Sequence, residues 1–345
     1  MPVSIKDIAQ KANVSPSTVS RALNDHPRIS TETKKQIQEL AKSMGYVPSQ
    51  AARNLVTQRS ATIGVAVTDY LNPFYVSLLG SIEDVALANN YDLFVSSFYR
   101  DRQREKKLFD NFYEKRLAGI IVAGSLIDEG YLQQNKHLIP VVLVNCVSYP
   151  FSVSVDKLAG AKMAMNHLIA LGHHRIAYVS QDIPLNTEIL RLEGYRAVLS
   201  EHGIPVDDAL IVPGDGSIMG GIQAVDRLLD LDNPPTAIFC FNDMTAIGVI
   251  HTLHQCGYDI PNDFSVIGFD DLEIAAYYHP PLTTIHQPIY NLGHRSATML
   301  FELIQGQEHI QSETLKPALV IRGSTARARI RAPRKEAMLL RKLSM

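Results

Sequence analysis

Apolar positions in the first sixty residues recur at helical spacing. Ile5, Ile8, Ala9 and Ala12 fall at i, i+3, i+4 and i+7, predicting a short helix with one buried face, capped by Ser4. Asn13-Val14-Ser15 breaks the pattern. A second helix is predicted from Pro16 to Asn24: Ser15 caps it, and Pro16 takes the first helical position, where its missing N–H costs nothing. Val19, Ala22 and Leu23 then face inward, and Ser17, Thr18, Ser20 and Arg21 outward. Ile37, Leu40, Ala41 and Met44 form the core face of a third helix, capped by Ser30 and stopped by Gly45. Two short helices joined by a tight turn, the second with a small polar N-terminal face, make the helix-turn-helix pattern.

Two readings fit the next segment. Pro48 and Ser49 could start a fourth short helix through Val56, but it has little of its own chain to bury against, and so short a helix is marginal in water. It is either an interdomain linker or a helix that orders only against DNA and a second copy. In the latter, Leu55, beside Arg53 and Arg59, would wedge into a minor-groove base step.

Beyond residue 61, short apolar runs alternate with helical patterns. Strands are expected at 62–68, 92–98, 118–123, 141–145, 176–180, 237–241, 265–269 and 282–286, with helices such as 73–90, 157–171, 188–202 and 243–256 between most of them. Repeated strand–helix units mean parallel sheets with helices on both faces, and two runs of them, divided near residue 160, suggest two lobes. Ligands in such sheets bind beyond the carboxyl ends of the strands. The polar residues there are Asp69 and Asn72, Ser125, Asn145, Asn242 with Asp243, Asp270 with Asp271, and Gln287, with Phe74 and Tyr75 after the first strand. Amides, carboxylates and rings suit a polyhydroxylated or heterocyclic ligand. Taken singly, each reads as a helix cap before a ligand contact, and Asn72, Asp243 and Asp271 are well placed for that.

Composition sharpens this picture. The chain has 345 residues, 46% hydrophobic and 20% charged, suited to two or three domains. Its net charge of −2 hides a split: residues 1–60 carry nine Lys/Arg against four Asp/Glu, and residues 326–345 seven against one. A basic head on an acidic body fits a head that meets phosphate. No apolar run reaches the ~18–20 residues of a membrane span, and the N-terminus lacks a signal peptide's basic start and apolar stretch, so a cytoplasmic protein is expected. Cys146, Cys240 and Cys256 lie far apart in apolar contexts and read as reduced core residues. Neither HExxH nor CxxC occurs among the twelve histidines and three cysteines, so no metal or other cofactor is expected. GxGxxG, the P-loop and GxSxG are missing too, which argues against an enzyme.

Ile5-Lys6-Asp7-Ile8-Ala9, Val14-Ser15, Thr18-Val19-Ser20-Arg21-Ala22-Leu23-Asn24, Gly45-Tyr46-Val47-Pro48, Ala52-Arg53 and Leu55 resemble, in type and spacing, the head of the lactose-repressor (LacI/GalR) family. The likeness continues through Asn72-Pro73-Phe74-Tyr75, Leu171-Gly172-His173-His174-Arg175-Ile176-Ala177, Arg191-Leu192-Glu193-Gly194-Tyr195, Asn242-Asp243-Met244-Thr245-Ala246, Ile267-Gly268-Phe269-Asp270-Asp271 and 281–287. It implies that Pro16, Ser17 and Arg21 occupy base-reading positions and that Leu55 is a hinge-helix wedge. Pro16 offers no donor, which leaves direct readout to Ser17 and Arg21; an arginine paired to guanine contributes ~1–3 kcal/mol of discrimination. Ser4, Thr18, Asn24 and Arg53 suit phosphate contacts. The body of this family is similar to periplasmic sugar-binding proteins, and the resemblance assigns Asn72, Phe74, Tyr75, Arg191, Asn242, Asp270 and Gln287 to the effector. Gly216 stands where some members place an aromatic, a departure that separates this site from theirs.

The expected organisation is a small all-α helix-turn-helix head (1–47), a hinge helix and linker (48–60), a two-lobed α/β body for effector binding and dimerisation (61–325), and a basic tail (326–345). The first lobe takes about 61–160 and 290–320, the second about 161–289 and 321–330. The expected function is a sequence-specific transcriptional regulator, a repressor, acting as a homodimer or tetramer on double-stranded operator DNA. A sugar-like effector between the lobes would control it; a purine-responsive or ligand-independent regulator is the alternative. A transport protein would instead show a signal peptide and no helix-turn-helix.

Overall fold

The computed structural model describes residues 3–46, 60–127, 130–132, 139–146, 149–181, 186–307 and 309–329. The expected hinge helix, with Arg53 and Leu55, and the tail beyond residue 329 lie outside the described residues. The chain divides into two units, Met1–Ser60 and Ala61–Met345.

The first unit holds α1 (Ile5–Ala12), α2 (Pro16–Leu23) and α3 (Thr31–Ser43). Each start is capped. Ser4 Oγ accepts the Asp7 N–H at 3.4 Å while Asp7 Oδ2 accepts the Ser4 N–H at 2.8 Å, a reciprocal box that satisfies two orphan donors. Ser15 and Ser30 accept from the Thr18 and Thr33 amides at 3.1 and 3.2 Å. Ile8, Ala9, Val19, Ala22, Ile37 and Ala41 are buried together, two from each of the three helices.

The second unit begins with β1 (Thr62–Val67), α4 (Pro73–Ala88), β2 (Asp92–Ser97), α5 (Arg102–Glu114), β3 (Ile120–Ala123), β4 (Val141–Val144) and β5 (Ser152–Val155). Next come α6 (Lys157–Ala170), β6 (Ile176–Gln181), α7 (Asn186–Glu201), β7 (Ile211–Gly214), α8 (Ile218–Leu229), β8 (Ala237–Cys240), α9 (Asp243–Gln255), β9 (Ser265–Ile267), α10 (Glu273–Tyr277) and β10 (Thr284–His286). The described elements end with α11 (Ile289–Ile304), β11 (Glu313–Leu315) and β12 (Ala318–Val320). One sheet has the order β11-β5-β4-β3-β1-β2 and the other β7-β6-β8-β9; every pairing in both is parallel. β10 and β12 pair antiparallel beside the second sheet. The chain therefore passes between the lobes near Asp156, Gln287 and Lys316.

The central strands of each sheet are buried on both faces. Val65 and Val67 pack with α4 and α11, while Ala66 and Val122 pack with Phe109 and Phe112 of α5. In the second lobe, Ala177 and Val179 meet α8 and α9, and Tyr178 meets α6 and α7. That explains why the strand runs are continuously apolar. Four short strands, β5, β7, β11 and β12, fall outside the pattern-based expectation. β5 is Ser-Val-Ser-Val, yet all four residues are buried, and β7 contains Pro213 and Gly214. Their strand character comes from pairing with a neighbour rather than from their own composition.

Candidate functional site

The carboxyl ends of the strands in both lobes open onto one cleft. The first lobe contributes Asn72, Phe74 and Tyr75 at the start of α4, Arg100 after β2, Gly124 after β3 and Asn145 after β4. The second contributes Gln181, Thr187, Arg191, Phe241, Asn242 and Asp270, and Gln287 stands at one of the crossings. All seven side chains expected at the effector line this cleft. Asp69, Ser125, Asp243 and Asp271 do not. Asp69 closes its own turn on the Leu71 amide, and Ser125 donates to Glu105 at 2.6 Å. Asp243 accepts from Thr284 and the Leu272 amide, and Asp271 pairs with Arg322 at 2.6 Å.

Arg191 is sandwiched between aromatic rings, its guanidinium carbon 4.2 Å from the Phe241 centroid and 3.8 Å from that of Phe269. Nη1 donates to the Phe241 carbonyl at 2.5 Å, and Nη2 lies 3.6 Å from Asp270 Oδ1. Burial pushes the Arg191 pKa down, and the Asp270 carboxylate opposes that shift. Burial pushes Asp270 up to about 6 against the opposing pull of Arg191 and Lys157. Gln287 ties these groups together: its Nε2 donates to Asp270 at 2.5 Å, and its Oε1 accepts from the buried Lys157 ammonium.

The amides are set by helix starts. Asn72 Oδ1 accepts the Phe74 N–H at 2.9 Å, capping α4. Asn242 Oδ1 accepts the Thr245 N–H at 2.8 Å, capping α9, and its Nδ2 donates to the Gly216 carbonyl at 2.9 Å. Cap and ligand contact are thus compatible roles for one residue. Phe74 and Tyr75 meet edge to face, 5.2 Å between centroids. Gly124, at φ +75°, leaves room for Tyr75: a Cβ there would stand 3.3 Å from its hydroxyl and 3.0 Å from Thr68 Cγ2. Behind the cleft, Glu188 accepts the Gln181 N–H at 3.0 Å and the Tyr178 hydroxyl at 3.1 Å, and burial raises it to about 6. No serine, cysteine or histidine lines the cleft among the described residues. The arrangement can bind and orient a small polar ring, with aromatic faces for its C–H surface and amides, cations and a carboxylate for its edge.

Arg100, Gly124, Gln181, Thr187 and Phe241 escaped sequence reasoning. Arg100 lies three residues past β2, and Gln181 at the end of β6, so a wider window after each strand finds both.

On the head, Pro16, Ser17, Arg21 and Asn24 at α2 and Ser4 at α1 are exposed, and Thr18 is half-buried. Ser17 and Thr18 hydroxyls lie 2.7 and 2.8 Å from Ser15 Oγ, and Asn24 Nδ2 donates to the Ser20 carbonyl at 2.9 Å. Among the described residues, no three His, Cys, Asp or Glu side chains gather as a metal site, and no helix is long and apolar enough to cross a membrane.

A helix-turn-helix unit followed by a two-lobed α/β unit with a polar cleft defines a DNA-binding regulator that responds to a small ligand. Comparison narrows the class. Residues 4–49 match the bacterial regulatory proteins of the lacI family, and residues 165–325 match a periplasmic binding protein-like domain. Catabolite control protein A of Priestia megaterium is 35% identical over 326 residues, covering 93% of this chain and 96% of that protein. The crystal structure of the lac repressor dimer bound to operator and the anti-inducer ONPF superposes with a TM-score of 0.86 at 29% identity, covering 94% of this chain and all of that one. A LacI family transcriptional regulator from Enterococcus faecium with bound ribose gives a TM-score of 0.72 at 32% identity, covering 78% of this chain and all of that one. The chain belongs to the lacI family of bacterial regulatory proteins and is a transcriptional repressor controlled by a ligand of its body.

Proposed function

We propose that the chain acts in the cytoplasm as a homodimer on a pseudo-palindromic operator, without catalysis, and that its effector is a sugar or sugar derivative held in the cleft. Ser17 and Arg21 read base edges beside Pro16. Ser4, Thr18, Asn24 and Arg53 hold phosphates, and Leu55 wedges the minor groove. Asn72, Phe74, Tyr75, Arg191, Asn242, Asp270 and Gln287 bind the effector. The domain divisions are 1–47, 48–60, 61–325 and 326–345. The observation that carries the effector reading is the convergence of side chains from both lobes on one polar, ring-lined cleft. A relative with bound ribose on the same fold supports a sugar.

The cleft encloses about 50 Å³. That is room for roughly three to five waters, whereas a small-molecule pocket typically holds ~300–1,000 Å³. A sugar therefore enters only if the lobes or their side chains part, so ligand and lobe geometry are linked. Operator affinity then shifts by the ligand's differential affinity for the two arrangements. The test is selection of bound duplexes from a random pool by the full chain, with and without a panel of sugars. The expected result is a two-fold motif, relaxed at one base position by Arg21→Ala, and an operator affinity changed roughly 5–150-fold by an active sugar. A sugar that binds the body and leaves operator affinity unchanged defeats the effector reading.

A further inference from the structure

Arg100 follows β2 at the end of a bend in which both Tyr99 and Arg100 have positive φ, 47° and 60°. This bend turns the arginine from the first lobe into the cleft, where its Nη1 donates to the Asp215 carbonyl of the second lobe. Gly216 makes that possible. A Cβ at this position would stand 3.1 Å from Arg100 Nη2, 3.5 Å from Asn242 Nδ2 and 3.7 Å from Gln181 Nε2, so a larger side chain would displace the guanidinium.

The charges along the cleft are uneven. Arg191 faces Asp270, and Lys157 meets Gln287. Arg100 has no acidic side chain at ion-pair distance among the described residues; its one bond is to a neutral carbonyl. Arg191, 3% exposed, has an Nε without a hydrogen-bond partner. Three helices, α4, α7 and α9, also start at this cleft, through Asn72, Thr187 and Asn242, and helix starts favour negative charge.

We infer that the effector carries an anionic group, a phosphate monoester or a carboxylate on a sugar-sized frame, and that Arg100 is the residue that selects it. This rests on the cleft being the effector site. A guanidinium offers a fork of donors matched to either anion. Asp270, already faced by Arg191 and Lys157, would hold the hydroxyl end of the ligand away from Arg100.

The test is calorimetric titration of the full chain with matched pairs: glucose and glucose 6-phosphate, ribose and ribose 5-phosphate, glucose and glucuronate, and inorganic phosphate alone. The expected result is at least about tenfold tighter binding of one anionic member than of its neutral partner. In Arg100→Gln that ratio should fall toward one, and in Arg100→Lys it should survive in part. The phosphate and glucuronate arms tell which anion is meant. Neutral sugars binding as tightly as their anionic partners, or Arg100→Gln weakening both equally, overturns the inference and leaves the sugar reading standing. Inorganic phosphate binding as well as any sugar phosphate overturns it too. If nothing in the panel binds, both readings fall.

Discussion

Arg191 and Asp270 stand face to face in the cleft, 3.6 Å between Nη2 and Oδ1, their side chains 3% and 5% exposed. That spacing is beyond hydrogen-bond range, so the pair is Coulombic and both groups keep hydrogen-bonding capacity for a ligand. Asp270→Asn removes from the buried Arg191 guanidinium the carboxylate that pairs with it. The expected cost is about 3–5 kcal/mol, the usual result of removing one partner of a buried pair. At roughly 2–4 °C per kcal/mol, calorimetry should show a clear fall in Tm. The double variant Arg191→Met/Asp270→Asn should recover part of it. If the double variant loses the sum of the two single losses, the pair is uncoupled.

Three buried carboxyls make the body respond to acid in an unusual direction. Burial raises Glu188 and Asp270 to about 6 and Asp243 to about 7. Between the unfolded and folded values the native state holds more protons, so these groups stabilise it below about pH 4 and lose that contribution as pH rises through 6 to 7. His167 and His254, lowered by burial, act in the opposite sense below their ordinary value. Comparison with Asp243→Asn isolates the carboxyl. The wild-type Tm should rise relative to the variant on going from about pH 7 to 5; parallel curves would contradict the assignment.

Helices α8 and α9 touch backbone to backbone. A Cβ on Gly248 would meet the Ile218 carbonyl at 2.1 Å, and one on Gly221 the Thr245 carbonyl at 2.1 Å. Neither carbonyl can swing away as a side chain could, so Gly248→Ala must part the helices, at a cost of about 1–3 kcal/mol or more. Because α9 starts at Asn242 and α8 follows Gly216, the strain reaches the Asn242–Gly216 bond. Denaturant unfolding should show the loss and titration a weaker ligand. By contrast, Gly203→Ala, with open space around it and φ +66°, should show only the backbone cost of about 1–2 kcal/mol.

The head offers a separation of structure from contact. Ser4→Ala and Asp7→Ala each break the box at α1, and each should cost about 0.5–2 kcal/mol of head stability. If Ser4 also touches phosphate, Ser4→Ala weakens operator binding further than Asp7→Ala when both are measured on fully folded protein. Equal effects would confine Ser4 to the cap.

The head was legible in the sequence because everything that defines it is local. Ser4, Ser15 and Ser30 cap helices within three residues, and Ile8, Val19 and Ile37 reveal their faces by spacing alone. The longer strands were legible as apolar runs, and the polar residues at their ends led to the cleft. Which strand ends share that cleft was decided by tertiary structure. Asn72, Arg191 and Gln287 come from segments far apart in the chain and meet only because strand order and three crossings bring both sheets' carboxyl edges together. The burial of Lys157, invisible from sequence, follows β5, a strand whose serines disguise it until β4 and β11 pair on either side. Arg100 is likewise an ordinary charged loop residue until the fold places Gly216 opposite it. Periodicity and capping act over a few residues; charge pairing and room for a side chain depend on neighbours that only the completed fold supplies.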